Sequence, residues 1–356
     1  MSAVKTSHLP NEDLQASKLF DVSHIVAVVT GGGTGIGLMI AQTLQSNGAK
    51  VYITGRRQEA LDAVVEQYSK GPGSIHALPG DITKKEECIR LADEVSKQES
   101  KGIHLLVNNA GIARDDHTKF SAAGKPDTKS AESIAQHMLK SEVDDWQDTF
   151  LTNITAQFFM SAAFVSSSWE LFIHSSKSVR NKVNSVIEGG VTKALSIITL
   201  KTQSLLQLES DQTLTLILQL PLLSKGRDVT PGYTSSIVNV TSISGLMKGS
   251  SNGQFAYATS KAGLIHLTRM LASTLAETKV RVNQIAPGIF PSEMTTGESD
   301  ETQKSELSSE ISNPAGGGDA DMAATILYLV GKGGLFLNNQ LLHPDGGQML
   351  IAPAAI

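Results

Sequence analysis

A chain of 356 residues with 40% hydrophobic and 18% charged side chains has ample core for an ordinary globular protein. Its formal net charge of −5 gives no reason to expect nucleic acid or an anionic membrane as partner. The single cysteine, Cys88, excludes an internal disulfide and fits a reducing compartment.

Residues 1–20 are polar and lack a secretory apolar run, and the most apolar later stretch, Leu214 to Leu223, is too short to cross a bilayer and contains Pro221. A soluble, cytoplasmic protein is expected. The length accommodates one long α/β domain as well as two average ones.

His24 to Thr30 is a short β-branched run without polar alternation, as a buried parallel strand requires. It leads into Gly31-Gly-Gly-Thr-Gly-Ile-Gly37 and then an apolar helix pattern ending near Asn47-Gly48. Strand, glycine turn and helix in this order form a phosphate site: the glycines admit close backbone approach, and the helix N-terminus offers free N–H groups. Thr30, Gly31, Thr34, Gly35, Ile36 and Gly37 are the candidate contacts. A second strand, Lys50–Thr54, is followed by Gly55-Arg56-Arg57. An NAD site usually carries an acidic residue here to hold the ribose 2′-OH, whereas arginine suits a 2′-phosphate. Gly55 takes the acidic position, so Arg56 and Arg57 point to NADP(H), with NAD(H) as the alternative.

A weak third strand, 75–80, ends at Asp81 and precedes a charged amphipathic helix from Lys84 to near Gln98. A fourth, 103–107, closes on Asn108-Asn109-Ala110-Gly111. Residues 112–142 read as loop, and a helix is expected from Glu142 to Phe164 with Asn153 in its middle, where a polar side chain is a poor helix former. Asn153-Ile-Thr and Asn239-Val-Thr match the glycosylation sequon by chance in such positions. Further strands are expected at 235–241, 280–285 and 339–343, with a helix carrying Tyr257 and Lys261 and a short one from Met322 to Val330. The alternation predicts one α/β domain, a Rossmann-type doubly wound parallel sheet of about seven strands flanked by helices.

Tyr257 and Lys261 lie four apart and so share a helix face. A cation held beside a phenol favours the phenolate and lowers a pKa that starts near ~10. Taken alone, such a pair is common surface chemistry. Its neighbours give it meaning.

In their order, Thr30-Gly31-x-x-x-Gly35-x-Gly37, Asp81, Asn108-Asn109-Ala110-Gly111, Asn153, Ser242, Tyr257-x-x-x-Lys261 and Pro287-Gly288 resemble the short-chain dehydrogenase/reductase family. The resemblance implies that Tyr257 is the general acid for a carbonyl oxygen, that Lys261 tunes it and holds the nicotinamide ribose, and that Ser242 binds the substrate oxygen. It implies that Asn153 holds a relay water, Asp81 meets the adenine, Asn108, Ala110 and Gly111 support the cofactor pocket, and Pro287-Gly288 borders the nicotinamide. No metal is implied. Ser244 rivals Ser242 by its distance from the tyrosine; the register of the strand end favours Ser242.

The run Val282 to Thr295 looks closest to fungal members and to rhamnolipid-pathway β-ketoacyl reductases. Phe290, Pro291 and Met294 are expected to line a substrate lid, which suits a hydrophobic ketone or 3-oxoacyl substrate. The expected activity is NADP(H)-dependent interconversion of a ketone and a secondary alcohol. The partners are then a small carbonyl or alcohol, and a second copy in a homodimer or homotetramer. The alternatives are an NAD-preferring alcohol dehydrogenase and an inactive nucleotide-binding protein.

Residues 165–219 carry no family motif and interrupt the Asn153 helix. Joining Phe164 to Leu220 restores a helix end, and valine codons begin GT while one glutamine codon is CAG. The segment is read as a retained intron in a gene model, with a lineage-specific insert as the rival.

Overall fold

The computed structural model describes residues 9–120, 125–165, 222–223, 232–296 and 317–351. Of the proposed insert, residues 166–219 lie outside these. Seven strands form one parallel sheet: β1 (Val26–Thr30), β2 (Lys50–Thr54), β3 (Ser74–Ala77), β4 (Leu105–Asn108), β5 (Ser236–Val240), β6 (Arg281–Ile285) and β7 (Leu341–Leu342). Their order is β3-β2-β1-β4-β5-β6-β7. After β3 the chain crosses back to pair β4 with β1, in the register Val28–Leu106. That reversal opens a crevice beyond the carboxyl ends of β1 and β4, where open α/β sheets take their ligands.

Strands β1, β2 and β5 are rich in β-branched, buried residues because both faces of the sheet are covered there. Successive side chains point to opposite faces. Ala27, Val29, Leu105, Val107, Val238 and Val240 enter one core with helices α1 (Gly35–Ser46), α2 (Gln58–Tyr68) and, far later in the chain, α8 (Asp319–Val330). Val28, Leu106 and Ile237 enter the other, against α3 (Lys85–Gln98) and residues of two helices given below. Cys88 lies in this second core, fully buried, and burial pushes its thiol up to about 12, so it is a packing residue.

Two departures from the sequence reading concern the region before β5. The stretch expected to be loop contains α4 (Ala131–Met138), whose first turn is capped by Ser130 accepting from the Ser133 N–H. The single helix expected over 142–164 is α5 (Val143–Phe150), a π-turn (Leu151–Thr155) and α6 (Ala156–Val165). The π-turn carries Asn153, which explains how a polar residue sits in mid-helix: the ladder is already broken there. Phe164 of α6 and Leu222 and Leu223 beyond the break are all fully buried in the second core. The Leu222 carbonyl accepts from the Ile103 N–H at 2.9 Å. The predicted helix α7 (Phe255–Thr274) carries Tyr257 and Lys261 and also sends Ala272 into that core.

Candidate active site

At the end of β1 the chain turns on Gly31, whose φ of +65° suits glycine and whose hypothetical Cβ would lie 3.0 Å from the Ala110 Cα. Gly37 is held tighter still, with no room for a side chain against the Gly31 carbonyl. The Thr30 hydroxyl, buried, accepts from the N–H groups of Asn109 and Ala110 at 2.9 and 3.0 Å. The Asn109 amide in turn donates to the carbonyls of Thr30 and Gly31 at 2.9 and 3.2 Å. The glycine turn and the end of β4 are therefore one hydrogen-bonded unit.

The hydrogen bonds that tie the glycine turn to β4 come from Asn109. Asn108 points to the other side of the strand, where its amide donates to Ser161 and to Asn239, each at 2.9 Å. One residue along a strand changes the face, and the sequence motif did not say which asparagine faces the turn. Asn153 and Asn239, the sequon asparagines, are fully buried.

The N-terminus of α1 has no side-chain cap. Its first N–H groups and dipole end suit an anion. Arg56 is exposed beyond β2, supplying a cation where a ribose phosphate is expected. These residues fit a dinucleotide. Asp81 is half-buried, with its Oδ1 accepting from the Thr83 hydroxyl at 2.7 Å and the Thr83 N–H at 3.2 Å; Oδ2 faces Lys84 at 3.9 Å.

Four side chains converge on the ends of β4 and β5. Tyr257 is 9% exposed, Ser242 8%, Lys261 3% and Asn153 0%. The Ser242 hydroxyl hydrogen-bonds the Tyr257 phenol, and it also accepts from the Ser244 N–H at 3.1 Å. Ser244 thus supports Ser242 from the following turn. Lys261 Nζ donates to the Val240 carbonyl at 2.9 Å and stands 5.6 Å from the Tyr257 ring centroid. Gly111 separates Lys261 from Asn153: a Cβ there would be 3.2 Å from both Lys261 Nζ and Asn153 Oδ1. The side chain of Asn153 is taken up by protein, accepting from the Ile112 N–H and donating to the Ile112 carbonyl and the Ser260 hydroxyl, at 2.8, 2.8 and 2.9 Å. It clamps the loop after β4 to α7.

The electrostatics differ from the sequence expectation. Burial raises the Tyr257 phenol above its ordinary value, and the opposing effect is the Ser242 hydrogen bond, not Lys261. Burial also pushes the Lys261 ammonium down to about 8. Between pH 8 and the unfolded lysine value near ~10.4 the unfolded chain holds a proton that the folded chain has shed, so stability rises with pH there. Tyr257 acts oppositely, but only once pH approaches the free phenol value near ~10. Melting of the wild type and Lys261→Met between pH 7 and 9.5 checks this. The variant should melt higher at pH 7, and the gap should narrow steadily towards pH 9.5; a gap that stays constant contradicts the buried-ammonium account.

The roles of two residues here escaped the sequence reading. Asn109 is one. Asp115 is the other: it is 3% exposed, and its two carboxylate oxygens accept from the N–H groups of Ala256 and Tyr257 at 2.9 and 3.0 Å. It caps α7 from a loop far away in sequence. Burial raises its pKa and these two N–H bonds oppose the rise. The expected lid lining is corrected at Phe290, which is 2% exposed in the first core and leaves no room for a Cβ on Gly317 beneath its ring. Pro291 is half-buried and Met294 is 43% exposed. Pro287 is buried, and Gly288 lies against Asp345, whose Cα would be 2.8 Å from a Cβ at that glycine.

The chain resembles known proteins over nearly its whole length. Residues 25–170 match the family described as short chain dehydrogenase, and residues 219–349 match that described as enoyl-(acyl carrier protein) reductase. The chain is 33% identical over 346 residues to the short-chain dehydrogenase/reductase PhomF′ of Diaporthe leptostromiformis, covering 96% of this chain and 97% of the relative. It is 30% identical over 332 residues to the rhamnolipids biosynthesis 3-oxoacyl-acyl-carrier-protein reductase of Pseudomonas aeruginosa, covering 92% and 97%. The solved Pseudomonas aeruginosa RhlG/NADP active-site complex superposes with a TM-score of 0.61 at 26% identity, covering 92% of this chain and 98% of that one. Among the described residues no helix is long and apolar enough to cross a membrane.

Proposed function

The chain belongs to the short-chain dehydrogenase/reductase family of oxidoreductases, and from that premise we propose that it is an NADP(H)-dependent reductase of hydrophobic ketones, 3-oxoacyl compounds foremost. The observation that carries the reading is the buried Tyr257 with Ser242 on its hydroxyl and Lys261 beside its ring. When bound, the cofactor supplies hydride to the carbonyl carbon. Ser242 then hydrogen-bonds the carbonyl oxygen, where negative charge develops. Tyr257, kept protonated by burial, donates its proton to that oxygen. Lys261, beside the ring and held by the Val240 carbonyl, supplies a donor for the ribose. Asn153, by fixing Ile112 to α7, sets the distance between the β4 loop and Tyr257. The relatedness to 3-oxoacyl reductases supports the substrate class, and the NADP complex of a 26% identical structure supports the cofactor.

We further propose one domain in which residues 165–219 are an insert. The two family matches, ending at 170 and resuming at 219, support this. So does the burial of Phe164 and Leu222 in one core. The test is a panel of 3-oxoacyl and other ketone substrates followed by NADPH absorbance, run on the full chain and on a form lacking 165–219. Turnover by the excised form, at least equal to that of the full chain, is expected. Loss of folding on excision contradicts the insert, and NADPH binding without turnover in both forms contradicts the reductase. Transcript reads covering codons 165–219 in most messages contradict a retained intron.

A further inference from the structure

Arg57 and Glu293 are 236 positions apart, yet the Arg57 Nη2 donates to both Glu293 carboxylate oxygens, at 2.9 and 2.8 Å. Arg57 stands just before α2, directly beyond β2. Glu293 opens the short helix Glu293–Thr296 that follows β6. Between them the chain leans on the phosphate turn: a Cβ on Gly35 would lie 2.9 Å from the Ser292 Cβ. The segment after β6 therefore crosses the glycine turn and ends on an arginine expected to read the ribose phosphate.

We propose that Glu293 competes with the 2′-phosphate of NADP(H) for Arg57, and is thereby a determinant of selectivity between NADP(H) and NAD(H). The inference rests on the NADP(H) reading above. The Glu293 carboxylate occupies Nη2 of Arg57 and sets a negative charge beside the remaining guanidinium donors. A 2′-phosphate brought to Arg57 must displace the carboxylate or share the cation with it, whereas the neutral 2′-hydroxyl of NAD(H) leaves the pair intact. Glu293 thus lowers affinity for the phosphorylated cofactor alone. Neighbouring Arg56 is exposed, so the phosphate retains a second cation, and the pair tunes the preference without abolishing it. The side chains are 62% and 31% exposed, which keeps the effect modest, about two- to fivefold in an equilibrium constant.

Calorimetric binding of 2′,5′-ADP and 5′-AMP tests this without turnover, on the full chain and its Glu293→Gln, Arg56→Met, Arg57→Met and Arg57→Met/Glu293→Gln forms, with melting temperatures as a check on folding. Glu293→Gln should tighten 2′,5′-ADP about two- to fivefold and leave 5′-AMP unchanged, and the gain should shrink as salt is raised. Arg57→Met should weaken 2′,5′-ADP alone, and in its background Glu293→Gln should add nothing. If Arg57→Met acts as expected but Glu293→Gln leaves the ratio of the two affinities unchanged, the competition is overturned and the NADP(H) reading stands. If both Arg56→Met and Arg57→Met leave that ratio unchanged, the NADP(H) reading falls and the competition with it.

Discussion

Tyr257→Phe should lower kcat for ketone reduction by about 10²- to 10⁴-fold, the range a positioned general acid contributes. The substitution removes one oxygen from a ring that is otherwise buried in place. The lost hydroxyl had Ser242 as its partner, and Ser242 keeps its bond from the Ser244 N–H. Fold and cofactor affinity should therefore remain near wild type. The loss should appear in kcat rather than KM, since the phenol's proton moves only in the transition state. Steady-state kinetics beside a cofactor titration checks this. A variant within a few-fold of wild type would mean that another group, or water, protonates the oxygen.

Asp115→Ala should cost about 2–3 kcal/mol of stability, because two helix-end N–H groups lose a charged acceptor. It should also lower kcat by about 10- to 100-fold, since small misplacements of a catalytic group are costly. One of the two bonds is made to the Tyr257 N–H itself, so the carboxylate fixes where the phenol begins its reach. Asp115→Asn keeps one acceptor and should recover part of the kcat. Melting temperatures and kcat for the three forms separate the roles: a lower melting temperature with wild-type kcat at 25 °C would make Asp115 an anchor of α7 and nothing more.

Much of the fold was legible because parallel strands buried on both faces announce themselves as β-branched runs. β2 was expected at 50–54 and lies at Lys50–Thr54, and α3, expected from Lys84, starts at Lys85. The glycine turn was legible for a similar reason, since Gly31 needs positive φ and Gly37 needs the space. What stayed hidden depends on long-range geometry. The Asp115 cap joins residues 141 and 142 apart, with no local spacing to betray it. The division of labour between Asn108 and Asn109 turns on which face each occupies, and both neighbours in the motif are asparagine. Phe290 reads as a lid residue from its place after Pro287-Gly288, but Gly317 leaves a slot for its ring and the first core takes it. The Tyr257 phenol was expected to be lowered by Lys261. Spacing gave their proximity correctly, but it carries no information on burial, which acts on both groups in the direction of their neutral forms.

The most direct test of the account is isotope transfer. The full chain is incubated with a 3-oxoacyl substrate and NADPH carrying deuterium on the transferring face of the nicotinamide, and the alcohol product is examined by mass spectrometry and NMR. A single deuterium on the former carbonyl carbon, formed by the wild type and not by Tyr257→Phe, is the predicted result. NADPH that binds tightly yet transfers no deuterium to any ketone, in the full chain and in the form lacking 165–219, would contradict it and leave a nucleotide-binding protein without reductase chemistry.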